Sequence, residues 1–309
     1  MTTRVLAASA LASVLLTAGC SINQIAVNKL GDALAGSGTT FAADDDPELV
    51  GQAVPFSLKL MESLLEASPR HRGLLLAAAK GFTQYAYAYV QQDADSLEDE
   101  NVARAALGRE RARRLYLRAR DYGLRGLETR HDGFGRQVRT DPRGAVRAAT
   151  REDVPLLYWT AAAWGATIAI SKEVPELVAD QPQVEALIDR ALELDEAYDF
   201  GAIHGFLISY ESSRRGAAGD PVARARAHFD RAVSLSSGQL ASPFVAYAEA
   251  VSVDRQDRAE FASMLNRALA IDPDARPEWR LANLIMQRRA RWLLSRQDAL
   301  FLDTPGGAR

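Results

Sequence analysis

The sequence predicts an all-α protein, and two observations support that fold class. Helix-forming residues such as alanine and leucine dominate the 309-residue chain, while glycine and proline fall mostly between segments with helical periodicity. No run of Val, Ile or Thr alternates apolar and polar side chains as a half-buried strand does. A third observation, an internal repeat described below, predicts how the helices are arranged.

The first 19 residues are predicted to be a signal peptide. Arg4 precedes an uncharged apolar stretch from Val5 to Leu16, which at about 12 residues is too short to span a membrane. Small residues then precede Cys20, the only cysteine of the chain. This ending resembles a bacterial lipobox, so we expect Cys20 to be acylated and to become the first residue of the mature protein. The alternative is an ordinary secretory signal that happens to lie beside a cysteine.

We expect the remaining chain to comprise a lipidated tether over residues 20–47, a helical domain over 48–303 and a disordered tail over 304–309. The Asp44-Asp45-Asp46-Pro47 segment is typical of a helix start, where carboxylates accept hydrogen bonds from the first free N–H groups. Helical periodicity then predicts helices at about 48–66, 72–91, 99–128, 153–171, 183–195, 199–213, 221–236, 242–253, 257–271 and 277–302.

Three of these helices end with similar residues, and each ending carries an alanine at the matching position. The alanines are Ala191, Ala232 and Ala268, separated by 41 and 36 positions. Tetratricopeptide repeats have a period near 34 residues and carry a small residue in the second helix, where paired helices approach closely. The spacing therefore predicts a right-handed solenoid of degenerate tetratricopeptide-like helix pairs. A generic helical bundle whose helices end alike is the alternative.

The segment 131–151 interrupts this pattern with the turn signals Asp132-Gly133 and Asp141-Pro142. Such an insertion is either a lid or interface arm, or a passive surface excursion. The residues alone do not decide between the two.

The sequence contains no recognisable catalytic or metal-binding motif. Its four histidines are far apart, the single thiol is expected to carry lipid, and no nucleophile elbow or phosphate-binding loop is present. The formal net charge is −3, or −4 once Arg4 is removed, and the arginines are interleaved with acids. We therefore expect no enzyme activity, no cofactor, no metal and no nucleic-acid partner.

The aromatic residues are the best candidates for ligand contact. Tyr85, Tyr89, Trp159 and Trp164 are candidates to line a groove or pore for a small organic or apolar ligand, and the alternative is an ordinary helical core. Tyrosines at 85, 87 and 89 cannot all share one face of an α-helix, so at least one is expected on a second surface. On the last helix, the polar residues Asn283 and Arg289 are candidates for partner docking.

Several longer stretches resemble one known family. They are Phe82–Tyr87, Arg111–Tyr116, Leu157–Gly165, Leu281–Asn283 and Arg289–Leu294. Together they resemble the T component associated with tripartite ATP-independent periplasmic (TRAP) transporters. The resemblance implies a periplasmic lipoprotein of tetratricopeptide-like helix pairs, a homotrimer with a channel, and association with the transporter's periplasmic solute-binding protein. It implies no catalytic residues.

The leading hypothesis is thus a non-enzymatic accessory subunit that docks the solute-binding protein and helps to transfer a solute. A lipid anchor would hold it in the periplasm at the outer or inner membrane. The second hypothesis is a tetratricopeptide-repeat lipoprotein scaffold for envelope assembly, and a hydrolase with an unfamiliar site is a distant third.

Overall fold

The computed structural model describes residues 28–33, 36, 38–214 and 216–302. The predicted signal peptide, Cys20 and the predicted tail 304–309 lie outside the described residues. Within them the chain forms helices and turns and no β-strand, which confirms the all-α prediction. The helices, numbered in chain order, are α1 Gly38–Ala42, α2 Pro47–Ala67, α3 Arg72–Tyr85, α4 Gln92–Ser96, α5 Val102–Glu128, α6 Phe134–Thr140, α7 Pro142–Ala145, α8 Val154–Ala169, α9 Pro175–Val178, α10 Gln181–Leu194, α11 Ala202–Tyr210, α12 Pro221–Leu235, α13 Ser242–Tyr247, α14 Arg258–Leu269, α15 Arg280–Ser295 and α16 Gln297–Leu300.

Two π-helical segments, Ala86–Gln91 and Ala248–Ser252, continue helices α3 and α13. The sequence predicted uninterrupted helices at both places. No helix in the described part of the chain combines the length and the apolar character that crossing a bilayer requires.

The helix starts follow from local capping. The Asp46 carboxylate accepts hydrogen bonds from the backbone N–H groups of Glu48 and Leu49 at 3.0 and 2.9 Å, as the acidic segment predicts. Asn101 caps α5 in the same way through the Arg104 N–H at 3.0 Å. Each cap satisfies donors that have no partner within the helix, so these side chains set where the helices begin.

The long helices pack mainly against their neighbours in the chain. Helix α5 packs on α3 and α8, α10 packs on α8, α11 packs on α12, and α14 packs on α13 and α15. Ala191, Ala232 and Ala268 are all buried near the ends of α10, α12 and α14. At one of these contacts, a Cβ added to Gly201 would lie 3.2 Å from the Ala232 Cα, so this approach favours glycine at position 201.

The 131–151 segment, which the sequence left open between two interpretations, is partly built into the core. It forms helices α6 and α7, and it buries Phe134 and Val138 to 1% and 0% exposure in the core shared with α8 and α10. This burial argues against a passive surface excursion, and the alternative of a lid or interface arm stays a prediction. A buried ion cluster holds its base, because Asp153 accepts hydrogen bonds from Arg72 at 2.7 Å and pairs with His131 at 3.0 Å.

Candidate ligand and docking residues

The last long helix, α15, packs against helices α1 and α2 and the first π-helical segment, near the beginning of the domain. Arg288 donates a hydrogen bond to the carbonyl oxygen of Ala88, in the first π-helical segment. The Tyr87 hydroxyl lies 3.9 Å from the Met286 sulfur. These contacts join residues about 200 positions apart, so we name this contact region between α15 and the two π-helical segments the closing seam. Segments of π-helix occur frequently at functional sites.

Arg289 is the central charge of the closing seam. Its guanidinium contacts Glu249 at 2.7 Å and Asp95 at 3.0 Å, and its side chain is 10% exposed. Burial works against the charged form, but Glu249 and Asp95 outweigh that effect and raise the pKa of Arg289 above its ordinary value. Arg289 therefore ties α4, the second π-helical segment and α15 together.

Arg289 and Asn283 were predicted to dock a partner, and the structure places both inside the molecule. Asn283 is 1% exposed. Its amide accepts a hydrogen bond from the Ala241 N–H at 2.9 Å and donates one to the Gln239 carbonyl at 3.0 Å. Helical spacing correctly placed Asn283 and Arg289 on the polar face of α15. This face contacts other parts of the same chain, so neither side chain is free to meet a partner protein in this conformation.

The tyrosines of the first π-helical region point to two surfaces, as expected. Tyr85 and Tyr89 lie together with ring centroids 5.7 Å apart, while Tyr87 packs in the closing seam. Tyr85 accepts a hydrogen bond from Arg111 at 3.4 Å. The Tyr89 ring lies against Gly51, and burial raises the pKa of its hydroxyl to about 12.

Trp159 lies in a separate cluster that we call the aromatic cluster, formed by Tyr158, Trp159 and Tyr198 with Lys80 at its edge. The Trp159 and Tyr158 rings meet edge-on at 5.0 Å, and the Tyr158 and Tyr198 rings are 5.5 Å apart. The exposed Lys80 ammonium lies 5.7 Å from the Trp159 ring centroid, within cation–π range. The four predicted groove residues therefore do not form one groove.

Trp164, one of the predicted groove residues, is buried and does not reach a surface. It is 0% exposed, and its indole N–H donates to the Asp180 carboxylate at 3.0 Å. Arg120 and Arg139 cover its ring at 5.1 and 5.5 Å. Trp164 is therefore a core residue.

A strained turn directly follows Tyr198 of the aromatic cluster. Asp199 and Phe200 have φ values of 44° and 55°, followed by Gly201 at 92°. Two consecutive non-glycine residues in the left-handed region are costly and cluster at functional sites. The turn holds Phe200 45% exposed and edge-on to Trp279, with ring centroids 4.9 Å apart. Sequence reasoning missed Lys80 and Tyr198 as neighbours of Trp159, and the contact of Phe200 with Trp279, because nothing in the local sequence marks these residues as neighbours.

Two histidines that are 24 positions apart also meet. The Nδ1 atoms of His204 and His228 are 2.9 Å apart, so one ring must donate its proton to the other. Burial, reinforced by His228, lowers the pKa of His204 to about 4. Among the described residues, no group of three or more His, Cys, Asp or Glu side chains is arranged to hold a metal ion.

Comparison with known proteins gives two findings. The model of the TRAP transporter T-component family matches residues 43–301. A protein of Treponema pallidum (strain Nichols), described only as an uncharacterized protein, is 32% identical over 312 residues. That alignment covers 95% of this chain and 97% of the relative. The chain therefore belongs to the TRAP transporter T-component family, as its sequence motifs predicted.

Proposed function

We propose that this chain is a non-enzymatic periplasmic accessory subunit of a TRAP transporter. In this role it docks the solute-binding protein of the transporter and helps to transfer a small organic or apolar solute. The family is one of transporter accessory components, which supports the general role. The aromatic cluster is the observation that carries the solute-handling part of the proposal.

The chemistry of the aromatic cluster suits a solute with an apolar body and one negative group. Tyr158 and Tyr198 are half-buried and Phe200 is 45% exposed, so ring surface is available for apolar contact. Lys80 lies beside Trp159 and pairs with no carboxylate of the described residues within 4.0 Å, which leaves its charge available to an anion. Lys80 is thus the proposed anion contact.

Calorimetry with the full detergent-solubilised chain tests the proposal. We expect the purified solute-binding protein of the same transporter to bind at tens of micromolar or tighter, with organic acids changing the affinity. Lys80→Gln is expected to weaken the effect of the acids, whereas Lys172→Gln, a change at another exposed lysine, is expected to leave it unchanged. Absence of a complex under all these conditions would overturn the transport role and favour the envelope scaffold.

The proposal includes an anchor at Cys20, which tethers the protein to the outer or inner membrane and raises the effective concentration of a weakly binding partner. Labelled palmitate is expected to enter the wild type and not Cys20→Ser. Equal labelling of both would contradict the anchor.

The proposal also includes the right-handed solenoid of tetratricopeptide-like pairs and the homotrimer. Burial of the three repeat alanines supports the first, and the family resemblance supports the second. Sedimentation of the purified protein as a monomer at micromolar concentration would argue against a trimer.

A further inference from the structure

The outward face of helix α5 carries an unusual row of charges. Its exposed positions alternate by three and four residues, so they form one stripe along the helix. We call this set the arginine stripe, and it consists of Arg104, Leu107, Arg111, Arg114, Arg118, Asp121 and Arg125. The stripe is about 30 Å long, at 1.5 Å per residue. Five arginines thus share one face of α5, in a chain whose formal net charge is −3. Between them in the sequence lie two acidic residues, Glu110 and Asp121.

The positive charge of the arginine stripe is only partly neutralised within the chain. Arg114 pairs with Glu110 at 3.2 Å and Arg118 with Glu62 at 3.4 Å. Arg104, Arg111 and Arg125 have no carboxylate within 4.0 Å among the described residues. Arg111, Arg114 and Arg118 follow one another at three and four residues, a spacing at which like charges on a helix repel, and Arg111 has no carboxylate of its own to offset this repulsion.

Aromatic rings hold three of the guanidinium groups in place. Arg111 lies over Tyr85 at 5.9 Å and Arg118 lies over Phe82 at 5.4 Å. Arg125 lies over Tyr122 at 5.3 Å. A guanidinium that is already ordered loses less rotamer entropy when it binds, and its planar fork suits bidentate contact with carboxylates.

The shape of the arginine stripe favours a protein over a membrane surface. A helix that lies in a membrane interface needs a broad apolar face beside its basic residues. The apolar face of α5 is buried against α3 and α8, and Leu107 is the one apolar residue of the stripe. Arginine and aromatic residues are also enriched at protein interfaces.

We infer that the arginine stripe is the docking surface for a row of carboxylates on the solute-binding protein of the transporter. This inference rests on the proposed function and names the surface that performs the docking. Charge complementarity of this kind acts mainly on the association rate, and salt screens it.

Surface plasmon resonance with the full detergent-solubilised chain and the purified solute-binding protein tests the inference. The variant R104E/R111E/R125E changes only stripe arginines that have no carboxylate partner. The matched control R136E/R143E/R147E makes the same charge change at exposed arginines of the 131–151 segment. Circular dichroism and thermal unfolding check that both variants fold.

We expect the stripe variant to bind about tenfold or more weakly, chiefly through slower association, and the control to bind within about twofold of the wild type. Affinity of the wild type is expected to fall with added salt. Equal binding by the stripe variant and the wild type overturns the inference while leaving the proposed function intact. Equal loss in both variants overturns it as well, because net charge and not the stripe would then be responsible.

Two further outcomes separate the remaining alternatives. If the wild type does not bind the solute-binding protein, the proposed docking role fails and the inference fails with it. Vesicles of phosphatidylethanolamine and phosphatidylglycerol serve as the second probe. If the stripe variant loses vesicle binding but keeps full affinity for the solute-binding protein, the stripe is a membrane contact and the inference is wrong.

Discussion

Arg289 and Glu249 lie 40 residues apart in the chain and contact each other at 2.7 Å, with only 10% of the Arg289 side chain exposed. The same guanidinium reaches Asp95, which lies 194 residues before it. One side chain therefore connects the beginning of the domain, its second π-helical segment and its last long helix. The sequence pattern had placed the charge of Arg289 at the surface, but in the structure this charge joins distant parts of the chain.

Arg289→Ala is expected to lower the free energy of unfolding by about 3 kcal/mol, since it leaves the partly buried Glu249 without its cation and Asp95 with Arg109 as its remaining partner. Arg291→Ala is the control, because Arg291 is exposed on the same helix and its loss is expected to cost less than about 0.5 kcal/mol. Urea denaturation measures both variants. Equal stability of the two would show that the closing seam does not depend on this ion cluster.

The closing seam also explains what the sequence could and could not predict. Caps such as Asp46 act within a few residues, so the acidic segment predicted the start of α2 to within one position, and helical periodicity predicted that of α5 to within three. The first π-helical segment has no local signal, because its alternating alanines and tyrosines suit an α-helix equally well. Its conformation accompanies contacts with Met286 and Arg288, which are about 200 residues away in the sequence.

The candidate site residues show the same difference between local signals, which the sequence contains, and long-range contacts, which it does not reveal. Periodicity identified the aromatic residues but not their neighbours, so Trp159 and Trp164 received the same prediction. The structure separates them because Asp180 and two arginines enclose Trp164, whereas Trp159, which is 7% exposed, meets Tyr158 and the exposed Lys80. Long-range neighbours of this kind cannot be inferred from helical spacing, which reports only which face of its own helix a residue occupies.

Two glycines only four positions apart are expected to respond in opposite ways to alanine. Gly201 has a φ of 92°, and a Cβ there would approach the Ala232 backbone at 3.2 Å, so Gly201→Ala is expected to destabilise the protein by about 1–3 kcal/mol. Gly205 lies inside α11 with open space around its Cβ direction, so Gly205→Ala is expected to add about 0.5–1 kcal/mol. Thermal unfolding distinguishes the two. A stabilised Gly201→Ala would refute the strain at Gly201, and a destabilised Gly205→Ala would refute the open space at Gly205.

Ala232→Leu tests whether the repeat alanines mark close helix contacts. Ala232 is 1% exposed and lies against Gly201, so the larger side chain has no space and is expected to cost about 1–3 kcal/mol. Ala227→Leu on the same helix is the matched control, since Ala227 is exposed and the change is expected to stay within about 0.5 kcal/mol. Denaturant titration compares them. If Ala232→Leu proved as mild as Ala227→Leu, the small residue at this position would have no packing role.

The ion cluster at the base of the 131–151 segment is expected to make stability depend on pH. Burial works against the charge of Asp153, but the Thr150 N–H, His131 and Arg72 outweigh it and hold its pKa below the ordinary value. A carboxylate whose pKa is lower in the folded state stabilises the protein above its unfolded pKa, near 3.9. That contribution is lost as the pH falls through the folded pKa.

Asp153→Asn is therefore expected to lower the free energy of unfolding by about 1–3 kcal/mol at pH 7, because Arg72 and His131 lose their anionic partner. The difference from the wild type is expected to shrink as the pH falls through the lowered pKa of Asp153 in the folded wild type, because the wild-type carboxyl then becomes neutral as well. Asp132→Asn is the control, since the Asp132 side chain is 96% exposed and its pair with Arg70, at 3.7 Å, is expected to contribute little. Urea denaturation across this pH range measures the three proteins. A difference between Asp153→Asn and the wild type that stays constant with pH would mean that Asp153 contributes through its shape and hydrogen bonds, and not through its charge.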